Sequence, residues 1–66
     1  MNADVKGALE QINTSWKAFE HRGKQMTKEQ VKSVLEYANQ VGYKTTEQIP
    51  ENVIDEIIDK INKRGY

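Results

Sequence analysis

The chain has 66 residues and a mass of 7.6 kDa, which is enough for one small domain and not for two. Its ten Lys and Arg residues balance ten Asp and Glu residues, so the total charge indicates neither an acidic nor a basic partner. The absence of Cys excludes disulfides, thiolate zinc sites and cysteine nucleophiles. A content of 36% apolar and 30% charged residues favours a soluble helical domain over a disordered chain.

Three stretches carry apolar residues at the spacing of an amphipathic helix, and the first of them decides the predicted fold. Its apolar residues are Val5, Ala8, Leu9, Ile12, Trp16 and Phe19. No stretch alternates with period two over the length of a strand, so we predict no sheet. The expected fold is all-α, a single three-helix bundle in up-down-up order with helices at about 2–22, 27–41 and 50–64. Trp16 and Phe19 are expected to contribute most to its core.

The predicted helix ends agree with the apolar spacing. A glycine follows the last apolar residue of each helix, where a left-handed C′ residue is favoured. These glycines are Gly23, Gly42 and Gly65. Pro50 fits the first turn of the third helix, where its missing N–H is not needed.

The second helix carries a specific start signal. Thr27 and Gln30 have the spacing of a capping box, in which each side chain bonds to the other residue's amide. Met26 and Val31 occupy the two positions of a hydrophobic staple around it. The sequence therefore predicts a helix start directly after Thr27.

Charge is unevenly distributed in the predicted bundle, despite the neutral total. The end of the first helix, the start of the second and the end of the third meet at one pole, which collects basic residues. The candidate binding residues among them are Arg22, Lys24, Lys28, Lys32, Lys63 and Arg64. Helix dipoles explain bases near helix ends, but Lys28 and Lys32 lie in the first turns of a helix, where positive charge is disfavoured. A solvated face and a binding surface both fit this pattern.

The residues that could carry enzyme chemistry are few. His21 is the single histidine, and we place it in the last turn of the first helix, without the further ligands a metal needs. A chain of this size rarely forms the cavity that a small-molecule site requires, so we expect no enzyme activity, cofactor or metal. The longest apolar runs are two residues and the amino terminus does not resemble a secretory signal, which favours a cytoplasmic protein, of bacterial or phage-like type, without membrane contact.

The leading functional hypothesis is a non-enzymatic helical module that binds another protein. Tyr37 and Tyr43 are candidate contacts, because Tyr is enriched at interfaces and Tyr37 lies off the apolar stripe of its helix. The alternative is weak, sequence-tolerant nucleic-acid binding through the basic pole. The chain is expected to be a monomer or a weak homo-oligomer.

Overall fold

A computed structural model describes residues 4–63. In chain order its elements are α1 (Val5–Glu10), a 3₁₀ turn (Lys17–Phe19), β1 (Glu20–His21), β2 (Lys24–Gln25), α2 (Lys28–Val41), a second 3₁₀ turn (Thr46–Gln48) and α3 (Glu51–Lys63). The two strands pair antiparallel as one hairpin. The protein is largely helical with three α-helices, but the prediction of an all-α bundle is wrong because this hairpin stands where the first helix was expected to end.

The first helix is much shorter than the predicted span of 2–22. Asp4 caps it by accepting a hydrogen bond from the amide of Lys6 at 2.9 Å, and the helix ends at Glu10. The side chain of Asn13 then accepts from both the amide and the hydroxyl of Ser15, at 2.9 and 2.6 Å. An Asx turn of this kind offers the backbone an alternative to the helix. The apolar spacing from Ile12 to Phe19 therefore does not correspond to helical turns.

The hairpin turns through two residues, Arg22 and Gly23, which both have positive φ angles, of 53° and 78°. Two positive φ values in a two-residue loop match the type I′ turn, whose twist suits a hairpin. His21 pairs with Lys24 on either side of the loop. Gly23 was predicted to end a helix and His21 to lie in a last helical turn, and both predictions are wrong. The glycine supplies a left-handed residue, but to a turn between strands.

The second helix agrees with its prediction at both ends. The hydroxyl of Thr27 accepts from the amide of Gln30 at 3.2 Å, and the Gln30 side chain accepts from the Thr27 amide at 3.0 Å. Met26 and Val31, the predicted staple, are both buried in the core. At the other end Gly42 has a φ of 106° and its amide donates to the carbonyl of Ala38. The capping box and the C-terminal glycine are confirmed.

We predict that Thr27→Ala lowers the free energy of unfolding by about 1 kcal/mol, because it removes the oxygen that accepts from the Gln30 amide. Urea denaturation measures this difference. Gln30→Ala, which leaves the Thr27 hydroxyl in place, should cost less. A silent Thr27→Ala would contradict the assignment of this residue as the cap.

The third helix lies almost where it was predicted. The carbonyl of Pro50 accepts from the amides of Val53 and Ile54, so the proline precedes the first turn instead of lying within it. The described helix ends at Lys63, and the predicted extension to Arg64 and the glycine cap at Gly65 lie outside the described residues.

The second helix occupies the centre of the molecule and packs against both α1 and α3. The core consists of buried side chains from α1, the two 3₁₀ turns and their flanks, and α2, together with Ile61 of α3. The nine that form one cluster are Val5, Ala8, Phe19, Met26, Val31, Val34, Leu35, Ala38 and Ile49. The apolar residues of α3 pack against this cluster, and Ile54, Ile57 and Ile58 remain half-buried. The start of α1 is joined to the segment after α2 by a hydrogen bond from the amide of Val5 to the carbonyl of Lys44.

The two predicted aromatic core residues differ in burial. Phe19 is 2% exposed, which confirms its place in the core. Trp16 is half-buried and stacks on Phe19 with ring centroids 5.3 Å apart. Trp16 thus covers the core from its edge, because the chain has left the helix before reaching it.

One buried hydroxyl lacks a hydrogen-bond partner within residues 4–63. Thr46 is 5% exposed, and its Oγ1 atom is unpaired. We predict that Thr46→Val raises the free energy of unfolding by about 1 kcal/mol, because a methyl group of similar shape replaces an unsatisfied polar group. Thermal melts of the two proteins measure the change. Thr46→Ser, which keeps the hydroxyl and loses the methyl, should be destabilising instead.

Candidate interaction cleft

A cleft of about 560 Å³ lies between the hairpin, the start of α2 and α3. Met26 and Ile58 supply its apolar lining, whereas Arg22 and Lys24 supply positive charge. The remaining lining residues are polar or ionisable and comprise His21, Gln25, Thr27, Gln30, Asp55 and Asn62. The hairpin thus takes the place that the sequence analysis gave to the end of the first helix.

The hairpin is joined to α3 by a two-point contact that we call the Asp55 clip, formed by His21, Arg22 and Asp55. Nε2 of His21 donates to Oδ1 of Asp55 at 2.7 Å, and a terminal guanidinium nitrogen of Arg22 lies 2.6 Å from Oδ2. The His21 side chain is 8% exposed, whereas that of Arg22 is 69% exposed. The Asp55 carboxylate therefore contacts both the buried side chain of His21 and the exposed side chain of Arg22.

The clip lowers the pKa of the Asp55 carboxyl below its ordinary value near 3.8. The main cause is the hydrogen bond from His21, and the Coulombic effects of Arg22 and His21 act in the same direction. Partial removal of the carboxylate from water opposes them. Because folding lowers this pKa, the ionised clip stabilises the fold above the unfolded-state pKa and loses its effect as the pH falls through the folded-state pKa.

The lowered pKa of Asp55 predicts how the stability of the protein depends on pH. The stability difference between the wild-type protein and Asp55→Asn should shrink progressively as the pH falls below about 4. Urea denaturation of both proteins at a series of pH values above and below this point measures the difference. A difference that grows on acidification would contradict the assigned role of the carboxylate.

Arg22 occupies an unfavourable backbone position for its residue type. The first central residue of a type I′ turn is typically Asn, Asp or Gly, because these tolerate positive φ. A left-handed conformation costs a residue with a long side chain on the order of 1 kcal/mol. Arg22 is therefore poorly suited to the turn itself. Its guanidinium, however, contacts Asp55 and lines the cleft, and these are contacts that Asn, Asp or Gly would not provide.

The other predicted basic residues are dispersed. Lys24 lines the cleft, and Lys28 and Lys32 are exposed on α2 outside the cleft lining. Lys63 forms an ion pair with Asp59 at 3.3 Å. Arg64 lies outside the described residues. The structure thus brings together Arg22 and Lys24 at the cleft and pairs Arg22 and Lys63 with carboxylates.

The two predicted tyrosine contacts have different environments. Tyr37 is 41% exposed, and Val41, one helical turn away, is 53% exposed. Tyr43 packs against the core cluster and is half-buried. Tyr37 and Val41 therefore form a small apolar patch on α2, whereas Tyr43 belongs to the edge of the core.

Sequence reasoning missed three polar residues of the cleft: His21 in its observed role, Asp55 and Asn62. Asp55, Ile58 and Asn62 stand at spacings of three and four on α3, and this spacing places them on one face. The spacing could be recognised in the sequence, but the assignment of His21 to a helix gave this face of α3 no residue to contact.

The described residues contain no group of three His, Cys, Asp or Glu side chains that could hold a metal ion. Within residues 4–63, no hydroxyl hydrogen-bonds to the His21 ring, so the arrangement is not that of an activated nucleophile. No helix in this range is long and apolar enough to cross a membrane.

The chain was compared with protein-family models, with curated proteins and with solved structures, and no match was found in any of the three comparisons.

Proposed function

We propose that this protein is a cytoplasmic, non-enzymatic module that binds another protein through the cleft between the hairpin, α2 and α3. The observation that carries the proposal is the composition of the cleft, in which the apolar residues Met26 and Ile58 and the charged residues Arg22 and Lys24 line the same space. A combination of apolar and polar groups is typical of protein recognition surfaces.

The support for a protein partner is stronger than that for a nucleic acid. A phosphate-binding surface needs several free cations along one face. In the described part of the chain, Arg22 and Lys63 already pair with Asp55 and Asp59, and Asp55 brings a negative charge into the cleft itself. Among the candidate basic residues that the structure describes, Lys24, Lys28 and Lys32 remain without a carboxylate within 4.0 Å, which is a small number for nucleic-acid binding.

The proposal is tested by blocking the cleft. Asn62→Trp adds a large side chain to an exposed lining position, and Gln40→Trp places the same residue on an exposed position of α2 that does not line the cleft. Immobilised wild-type protein and both variants are incubated with native lysate, with and without nuclease treatment. Retained proteins are identified by mass spectrometry, purified and tested for direct binding by calorimetry.

A partner that binds the wild-type protein and Gln40→Trp, but not Asn62→Trp, supports the proposal. Equal binding to all three contradicts the cleft as the site. Tyr37→Ser provides a further comparison, because a loss of binding confined to this variant would assign the interface to the patch on α2. Retention that nuclease treatment abolishes would favour the nucleic-acid alternative.

A further inference from the structure

The Asp55 clip indicates which chemical group the cleft recognises. Arg22 and His21 hold a carboxylate between them at 2.6 and 2.7 Å, so the site is already built to bind a carboxylate. We propose that the cleft binds an acidic side chain of a partner protein, and that Asp55 competes with this side chain for Arg22. The inference rests on the proposed function and specifies the class of partner.

The charges around the cleft favour an anionic group. A guanidinium has five N–H donors in a planar fork, and Arg22 uses one terminal nitrogen for Asp55. Lys24 lines the same cleft, and none of the carboxylates in residues 4–63 lies within ion-pair distance of its Nζ. Both side chains can therefore bind an incoming carboxylate from the hairpin side.

The start of α2 adds a second, independent contribution on the opposite side. Thr27 and Gln30, the cap and third residue of this 14-residue helix, line the cleft. The first amides of a helix have no carbonyl partner within it, and the positive end of the helix dipole lies there. The Thr27 hydroxyl satisfies the amide of Gln30. The hairpin contributes positive side chains to the cleft, and the helix contributes the positive end of its dipole.

The geometry of the clip permits exchange. Arg22 is the outer contact and is 69% exposed, whereas His21 is the inner contact and is 8% exposed. Exposed ion pairs contribute little to stability because water screens them. Arg22 can therefore leave Asp55 for another carboxylate, while His21 continues to hold Asp55 and keeps the hairpin on α3.

The apolar lining residues favour an apolar side chain next to the acidic residue of the partner. Met26 and Ile58 lie beside the charged groups, so an acidic residue with an adjacent aliphatic one satisfies both parts of the cleft. Two matched probes represent this chemistry: acetyl-Ala-Ala-Glu-Leu-Ala-amide and the same peptide with Gln in place of Glu. They differ in one charge and have nearly equal shapes.

The experiment is a titration of the ¹⁵N-labelled full chain with each peptide, followed by NMR. We expect the Glu peptide to shift the amides of residues 22–25 and 28–30, with an affinity about tenfold higher than that of the Gln peptide. Asp55→Asn removes the competing charge and keeps an oxygen that can accept from His21. It should bind the Glu peptide several-fold more tightly than the wild-type protein does.

Two variants with the same change of charge give the control. Arg22→Gln should abolish the preference for Glu over Gln, whereas Lys32→Gln, on α2 outside the cleft lining, should preserve it. An equal loss in both variants would overturn the inference in favour of diffuse attraction.

Three further results would also overturn the inference. Equal shifts from the two peptides would show that the cleft binds peptides without recognising acid, which leaves the proposed function intact. No shift from either peptide at about 10 mM would show that the cleft does not bind this chemistry. A deoxythymidine decamer that shifts the same amides at lower concentration would assign the cations to nucleic acid.

Discussion

Phe19→Ala is expected to leave the chain largely unfolded. Phe19 is 2% exposed and is among the largest fully buried side chains of the described core. Removing a buried Phe costs about 3–5 kcal/mol through lost burial and the cavity that remains. A core of this size stabilises a small domain by about the same amount. Circular dichroism should show a loss of helical signal at room temperature, and the amide NMR spectrum should lose its dispersion.

Two companion variants test whether the position of Phe19 causes this effect. Phe19→Leu keeps most of the buried volume and should remain folded at a cost of about 1 kcal/mol. Trp16→Ala removes a half-buried ring that stacks on Phe19, and it should cost less than Phe19→Ala although Trp is the larger residue. A greater loss for Trp16→Ala would contradict the observed order of burial.

These aromatic residues show where sequence reasoning succeeded and where it failed. The apolar spacing identified Phe19 as a core residue, because a large apolar side chain tends to be buried in either a helix or an irregular segment. It did not identify the backbone conformation, because residues 12–19 have helical spacing without forming an α-helix. The Asn13 side chain, which bonds to Ser15, competes locally with helical hydrogen bonds.

The start of α2 could be predicted because its stabilising contacts are local in the sequence, whereas those of the hairpin are not. A capping box is a local arrangement, since Thr27 and Gln30 satisfy each other's amides within four residues. The hairpin turn uses Arg22 and Gly23 in place of the Asn-Gly or Asp-Gly pairs that signal a type I′ turn. Contacts with α3 hold it, and these involve residues more than thirty positions away in the chain.

The candidate site depends on the same long-range contacts. Arg22 and Lys24 were identified from charge alone, and the structure places both at the cleft. Asp55 was not among the predicted site residues, because acids early in a helix complement its dipole without any ligand. Its pairing with His21 becomes visible once the hairpin brings the imidazole to α3. A neutral total charge likewise gave no indication that opposite charges meet in one cleft.

Reversing the charge of the clip should separate the hairpin from α3. Asp55→Lys removes the carboxylate that bonds to His21 and places a cation beside Arg22. A buried hydrogen-bonding group without its partner costs about 1–3 kcal/mol, and His21 becomes such a group. The melting temperature should fall by at least about 5 °C, the change expected for 1 kcal/mol in a domain of this size. Hydrogen exchange should also show loss of protection in the hairpin amides.

Glu56→Lys is the matched control, because it makes the same change of charge at the next, exposed residue of α3. This variant should keep its hairpin protection and melt close to the wild-type temperature, since surface substitutions usually change stability by less than about 0.5 kcal/mol. Equal destabilisation by both variants would show that the net charge of α3, and not the contact with His21 and Arg22, determines stability. Full protection of the hairpin in Asp55→Lys would mean that turn and core contacts alone hold it in place.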